Sequence, residues 1–280
     1  MSDHRFAAHS LGILITLMLW LSLGLRAQAD DTVNADWHYT LRPKETLQSV
    51  SANMLTSQYS WGDLARYNQI VQIDRLAPGS ILKIPLQWLK QQPQPATAMS
   101  TVGTALIRRA GQVNYQRLQA DDTIRVGDEV ATQRGSILIR FADGSILRVE
   151  ENSNLVFNRL SRYGNTGMVD TRVRLNRGSV ATEVQPLLEG SRFEISTPSA
   201  VAAVRGTTFR VQAEPASTRV EVIEGTVEVK HEHGRIDVGA GQGVTVRQGS
   251  QIVERRPLAP APEPLFSEAP VKDLPTTLKW

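Results

Sequence analysis

Three groups of side chains in this 280-residue sequence have types and spacings that could do chemistry. His231, Glu232 and His233 hold the closest histidine pair. Residues two apart on a strand share a face, so the two imidazoles could begin a metal site. No third ligand stands nearby, and Gly234-Arg235 follows at once, as at a polar hairpin tip, so no metal is expected. Asp143 with Glu150 and Glu151 could supply the carboxylate pair that hydrolyses a glycosidic bond. Against that, Asp143-Gly144 reads as a turn dipeptide, and adjacent glutamates on a strand point to opposite faces. Arg205, just before Gly206, could touch a ligand or partner; more often such an arginine braces a corner. There is no cysteine, which excludes disulfides, thiol nucleophiles and zinc-thiolate sites. No acid, base and nucleophile converge, so neither an enzyme nor a cofactor is expected.

The elements that must position these residues begin after an export signal. Residues 1–9 carry Arg5, 11–25 form an uncharged apolar run, and Ala27-Gln28-Ala29 has the small-x-small pattern of a cleavage site. Residues 1–29 are therefore expected to be a signal peptide, with an uncleaved signal anchor as the alternative. The apolar run is short for a spanning helix, which needs about twenty residues. The chain is then expected in the periplasm or cell envelope, with no membrane span once the leader is removed. A formal charge of +3 is slight for this length and the arginines are spread through strands, so no nucleic-acid partner is expected.

Composition divides the remainder. Residues 37–89 mix short strands and helices: Trp37 to Leu41 alternate like a strand, and Thr46 can cap a helix with Leu47, Val50 and Met54 on one face. Ser60-Trp61-Gly62-Asp63 reads as a capping box, and Ile81 to Pro85 as a closing strand. Trp61 and Tyr67 are expected inside, because so small a module needs large side chains in its core. Residues 90–102 (Gln/Pro/Ala-rich) read as a linker. Residues 103–250 read as strands and glycine-centred turns. Gly135-Ser136, Gly144-Ser145, Gly178-Ser179, Gly206-Thr207 and Gly225-Thr226 each precede an apolar-rich strand. Residues 254–280 form a Pro-rich tail, with six of the fourteen prolines falling at 257–280, and are expected to be extended and solvated.

Two family resemblances follow from these motifs. Thr197-Pro198, Val204-Arg205-Gly206-Thr207, Phe209, Val211 and then Glu224-Gly225, together with Arg125 to Val130 and Phe141 to Ile146, resemble the FecR family of bacterial cell-envelope sensor domains. Tyr39-Thr40-Leu41, Glu45-Thr46-Leu47, Leu64 to Asn68 and Leu76 to Pro85 resemble the LysM domain, a βααβ module that binds N-acetylglucosamine-containing glycans, chiefly peptidoglycan. Together they imply a mainly β chain, a LysM domain followed by an irregular β-solenoid or sandwich. The LysM resemblance implies glycan contacts in two loops, at Arg42, Pro43, Lys44, Glu45 and Thr46, and at Asn68, Ile73, Asp74, Leu76 and Pro78. Lys44-Glu45-Thr46 stands where the family often has Gly-Asp-Thr, which removes a residue that adopts positive φ easily. The FecR resemblance makes Asp143, Gly144, Arg205, Gly206, Thr207 and Gly225 structural or interaction positions.

The implied function is a wall-associated interaction protein: LysM on peptidoglycan, the FecR-type domain offered to an unidentified envelope protein. The alternatives are a regulator of an extracytoplasmic-function sigma factor, acting through a separate membrane protein, and an accessory to wall hydrolases. The regulator's cytoplasmic arm is expected to be missing, since only about ten residues precede the apolar run. The tail ends as though another strand were starting, so a fragment of a longer protein is also an open reading.

Overall fold

A computed structural model describes residues 35–251 and 253–258. The leader and the tail beyond residue 258 lie outside the described residues. The N-terminal module runs β1 (Asp36–Thr40), α1 (Leu47–Met54), α2 (Trp61–Tyr67), β2 (Ile81–Pro85). The two strands pair antiparallel, with Trp37 opposite Ile84 and Tyr39 opposite Leu82.

Side chains start both helices. The Thr46 hydroxyl accepts the Ser49 amide at 3.1 Å while Ser49 Oγ accepts the Thr46 amide at 2.9 Å. Ser60 and Asp63 close the same reciprocal box ahead of α2, with the Ser60 amide 2.8 Å from Asp63 Oδ2. Each box satisfies backbone donors that the first helical turn leaves orphaned. Leu47, Val50 and Leu64 are thereby turned onto Tyr39, Leu82 and Ile84. That core is completed from outside the module, by Tyr163 and Met168. About fifty residues bury too little surface to stand alone comfortably. Trp61 and Tyr67, expected inside, are instead 41% and 43% exposed. They flank the inward pair Leu64 and Ala65, which takes the buried face of so short a helix.

The stretch 90–102, expected as a linker, is strand. β3 (Gln91–Pro93) pairs with β9 (Asn154–Tyr163), and the Gln91 and Gln92 side chains accept hydrogen bonds from Arg159 and Arg162. Pro93 is tolerated because β3 is an edge strand, where a missing N–H costs no ladder bond. β4 (Ala96–Arg108) follows and buries Ala96 and Ala98.

The β domain continues with β5 (Gln116–Arg117), β6 (Thr123–Ile124), β7 (Glu129–Arg140) and β8 (Ile146–Val149). After β9 come β10 (Val169–Glu183), β11 (Arg192–Ser196), β12 (Val201–Val204), β13 (Thr208–Glu214) and β14 (Ser217–Glu224). β15 (Thr226–His231), β16 (Gly234–Gly239), β17 (Gln242–Arg247) and β18 (Val253–Pro257) are the last of the described strands, so the tail's first residues at 254–257 are paired strand. β3 to β18 form one hydrogen-bonded sheet of sixteen strands around a single apolar core.

β10 is the spine. Its first half lies between β9 and a parallel β11, its second half between β8 and β13. Asp170 pairs with Arg192, so nine residue steps must return the chain from Glu183 to the level of Asp170. Thirteen straight residues would cover about 43 Å, whereas nine steps reach about 32 Å at most. β10 therefore bends, at register shifts before Val173 and Arg177 and at Gly178. The antiparallel β4–β7 pair bends too, at the facing residues Gly103 and Gly135, with φ of 75° and 103°. Inside the curl, Phe141 meets Phe193 edge-to-face at 5.4 Å between centroids.

Candidate functional site

At one end of the N-terminal module, the loop after β1 meets the loop before β2. The Leu41 amide donates to the Ser80 carbonyl at 2.9 Å, and the Gly79 amide to the Leu41 carbonyl at 2.8 Å. Between and beside them lies an open groove of about 560 Å³, lined by β1 from Trp37 to Thr40 and by Leu41, Arg42, Pro43, Pro78 and Gly79.

The first loop is shaped by Glu45. Its Oε2 accepts the Arg42 amide at 2.8 Å and the Tyr39 hydroxyl. Burial first, and then the hydrogen bond to this carboxylate, push the Tyr39 hydroxyl up to about 12. The Tyr39 hydroxyl in turn holds the Glu45 carboxyl below its usual range, keeping it ionised near neutrality. An ionised, twice-bonded carboxylate is an acceptor and not a proton donor. Lys44 takes the positive φ, 70°, that a glycine would adopt without strain.

The second loop is held by Asn68. Its amide donates to the Leu64 and Lys83 carbonyls, both at 2.9 Å, and accepts the Lys83 amide at 2.7 Å. Those bonds clip the end of α2 to β2. Of the ten expected glycan residues, Arg42, Pro43 and Pro78 line the groove. Lys44, Glu45 and Thr46 set the shape of its loop, and Asn68 is committed to the fold. Ile73 and Leu76 pack on the module's core, while Asp74 is exposed on a 3-10 turn. The wall supplied by β1 was missed: its period-two alternation reads only as core. The signal was the aromatic pair Trp37 and Tyr39, whose ring centroids stand 5.0 Å apart. The half-buried Trp37 ring and the prolines offer apolar faces to sugar C–H groups, and the loops offer backbone polar groups, which is a surface for binding.

The β-domain positions scatter. Asp143 accepts the Ser145 amide at 3.0 Å and its hydroxyl at 2.9 Å, closing the turn at Gly144. Glu150 pairs with Arg148, and both Glu150 and Glu151 lie between β8 and β9, not on a strand as expected. Arg205 Nε donates to the Leu187 carbonyl at 3.1 Å, tying its corner to the loop after β10. Gly206-Thr207 and Gly225 abut: a Cβ on Gly225 would stand 2.6 Å from Thr207 Cγ2. His231 and His233 flank a hairpin tip with ring centroids 6.4 Å apart, and among the described residues no group of three potential ligands gathers to hold a metal.

Comparison with known families matches residues 39–85 to the LysM domain and residues 128–228 to the FecR protein family. The chain carries a LysM domain and a FecR domain, in that order. Two crystal structures described as a "putative anti-sigma factor" from Parabacteroides distasonis ATCC 8503 are similar at 19% identity, with TM-scores of 0.38 and 0.40. Each alignment covers 46% of this chain and 59% of the other, so the chain spans little more than half of those proteins. No curated protein sequence matches it. Among the described residues no helix is long and apolar enough to cross a membrane.

Proposed function

We propose that this is an exported envelope protein that binds the glycan of peptidoglycan in the groove of its LysM domain. Its FecR domain, which we read as an irregular solenoid, is presented to an envelope protein for signalling or assembly. The observation that carries this is the groove itself. Two loops are clamped by hydrogen bonds around an open trough that has aromatic, proline and backbone polar walls and no convergent acid, base and nucleophile. One such module binds loosely, so several sugars or a second anchor would raise its affinity.

The test is sedimentation of the full chain with insoluble peptidoglycan. Thr40 is exposed on the groove wall, so Thr40→Trp fills the trough without touching the core. It should weaken binding by about tenfold, roughly 1.4 kcal/mol. Unchanged binding would refute the groove. Removing the whole module is a poorer test, because it uncovers Tyr163 and Met168. Zymography with Asp143→Asn and Glu150→Gln checks the non-enzymatic reading, which a clearing band lost in either variant would overturn. N-terminal sequencing of envelope-purified protein distinguishes a cleaved leader from an anchor.

A further inference from the structure

One turn of the FecR domain stands against the N-terminal module, beside its groove. The loop from β10 to β11 ends in a turn, residues 188–191, closed by the Ser191 amide on the Leu188 carbonyl at 2.9 Å. Gly190 takes the third position with φ of 89°, the left-handed conformation that a type II turn requires there. The turn is seated on the module. A Cβ at Gly190 would stand 2.7 Å from Met168 Sδ and 3.2 Å from Leu86 Cδ2. Its shoulders are fixed as well: Leu187 is buried and its carbonyl accepts Arg205 Nε at 3.1 Å, and Ser191 Oγ accepts the Val169 amide at 3.2 Å. The Val-Arg-Gly-Thr corner thus braces the loop that leans on the other domain.

This fixed backbone presents two side chains to solvent. Leu188 is 54% exposed, and the Glu189 side chain is 67% exposed. Glu189 Oε1 stands 3.8 Å from Nδ1 of His38, and among the described residues no other ion pair or hydrogen bond engages its carboxylate. His38 lines the LysM groove. It shares the exposed face of β1 with Thr40, about 7 Å along the strand, because strand side chains alternate. The groove wall therefore runs from Arg42 and Pro43 past Thr40 to His38, and Glu189 continues it from a different domain.

The chemistry of that continuation suits a sugar. A carboxylate accepts hydrogen bonds from vicinal hydroxyls or from an acetamido N–H, and bonds to a charged acceptor are stronger than neutral ones. Leu188, exposed on the same turn, offers an apolar surface to ring C–H and acetyl methyl groups. The backbone that carries both is already ordered, so a ligand loses little in fixing it. A glycan lying along β1 beyond Thr40 would reach this turn next.

We propose that the 188–191 turn of the FecR domain forms a further sugar subsite continuous with the LysM groove, so that a long glycan is gripped by both domains. This rests on glycan binding in the LysM groove, and the experiment separates the two. The full chain is titrated with N-acetylglucosamine oligomers from the disaccharide to the octasaccharide, followed by NMR so that weak binding is read. Affinity should climb with length until the ligand reaches the turn. Leu188→Ala with Glu189→Ala, both on exposed side chains, should weaken binding of the longest oligomer about fivefold or more, the worth of a hydrogen bond to a charged group. The same variant should bind the disaccharide as the unaltered chain does. Thr40→Trp, which fills the groove, should weaken binding at every length. Undiminished binding of the longest oligomer by the double variant, or an equal loss at every length, would overturn the subsite and leave the groove standing. Binding of no oligomer by the unaltered chain would sink the groove reading, and the subsite with it.

Discussion

The LysM domain and the FecR domain solve the problem of turning the chain by opposite means. In the first, polar side chains do it: Thr46 with Ser49, Ser60 with Asp63, Asn68 across to Lys83, and Glu45 under Tyr39 and Arg42. In the second, missing side chains do it. Gly103 and Gly135 face each other so closely that a Cβ on either would stand 2.0 or 1.9 Å from the opposing carbonyl oxygen. The difference matters for function. Loops shaped by side chains can change one residue at a time and still present a groove, as Lys44-Glu45 does where glycine-aspartate is usual. Corners shaped by backbone approach leave no room for a Cβ, so a single substitution there must displace backbone. The two regions are also unequal in core, because the smaller one is sealed by Tyr163 and Met168 of the larger.

The largest expected effect breaks a backbone corner. Gly103→Ala should cost about 3 kcal/mol or more in urea unfolding, since a Cβ overlap with a carbonyl can only be relieved by opening the β4–β7 ladder. Gly111→Ala is the control: φ there is 74° but nothing lies within 4 Å, so only the left-handed strain of about 1 kcal/mol applies. Equal costs would show that conformation, not close approach, decides these corners. Next comes the shared core. Met168→Ala removes a fully buried side chain and should cost about 2–4 kcal/mol. Its loss should appear in hydrogen exchange of LysM amides as much as in the β domain. Protection lost only in the β domain would mean that the module folds independently.

The sequence showed what lies close in the chain. Caps at Thr46 and Ser60 are visible because the motif spans four residues, and strand alternation at Ile137, Ile139 and Phe141 is visible because burial follows the pleat. The five paired glycines were readable as positive-φ positions, and all five are. What failed depends on distant partners. Gln91 to Pro93 looked like a linker because the partner that makes it a strand lies some seventy residues on, at Arg159 and Arg162. Trp61 and Tyr67 looked like core because nothing in the sequence says that Met168 fills the module from another domain. The contact of Glu189 with His38 was illegible for the same reason, since the two stand in different domains.

Smaller effects test the side-chain-built loops. Ser60→Ala should cost about 1 kcal/mol, the value of a lost cap, and Ser60→Gly less. An exchange of Asp63 for Glu that restores the usual capping-box residue should be nearly neutral. Acid should loosen the first loop through Glu45. Its carboxyl is held below the usual range in the folded chain, so its contribution is full above the ordinary carboxylate value and fades as pH falls through the depressed one. The protection factor of the Arg42 amide, its exchange relative to the intrinsic rate at each pH, should therefore fall on acidification, and Glu45→Gln should flatten that dependence. An unchanged profile would mean that the Tyr39 and Arg42 bonds do not hold the loop.

The smallest effect is the most pointed. Lys44 sits at a φ of 70°, exposed, in the loop that shapes the groove. Relieving the strain of a left-handed lysine returns about 1 kcal/mol, but glycine gives back about 0.5–1 kcal/mol in unfolded-chain entropy. Lys44→Gly should thus stabilise by at most about 0.5 kcal/mol and leave glycan affinity unchanged, because Glu45 still ties Tyr39 to Arg42. A destabilisation of about 1 kcal/mol, or a tenfold loss of glycan binding, would show that the lysine side chain itself holds the loop or touches the sugar. In that case this loop's departure from glycine would be a gain of contact, and the contrast with the glycine corners of the FecR domain would sharpen.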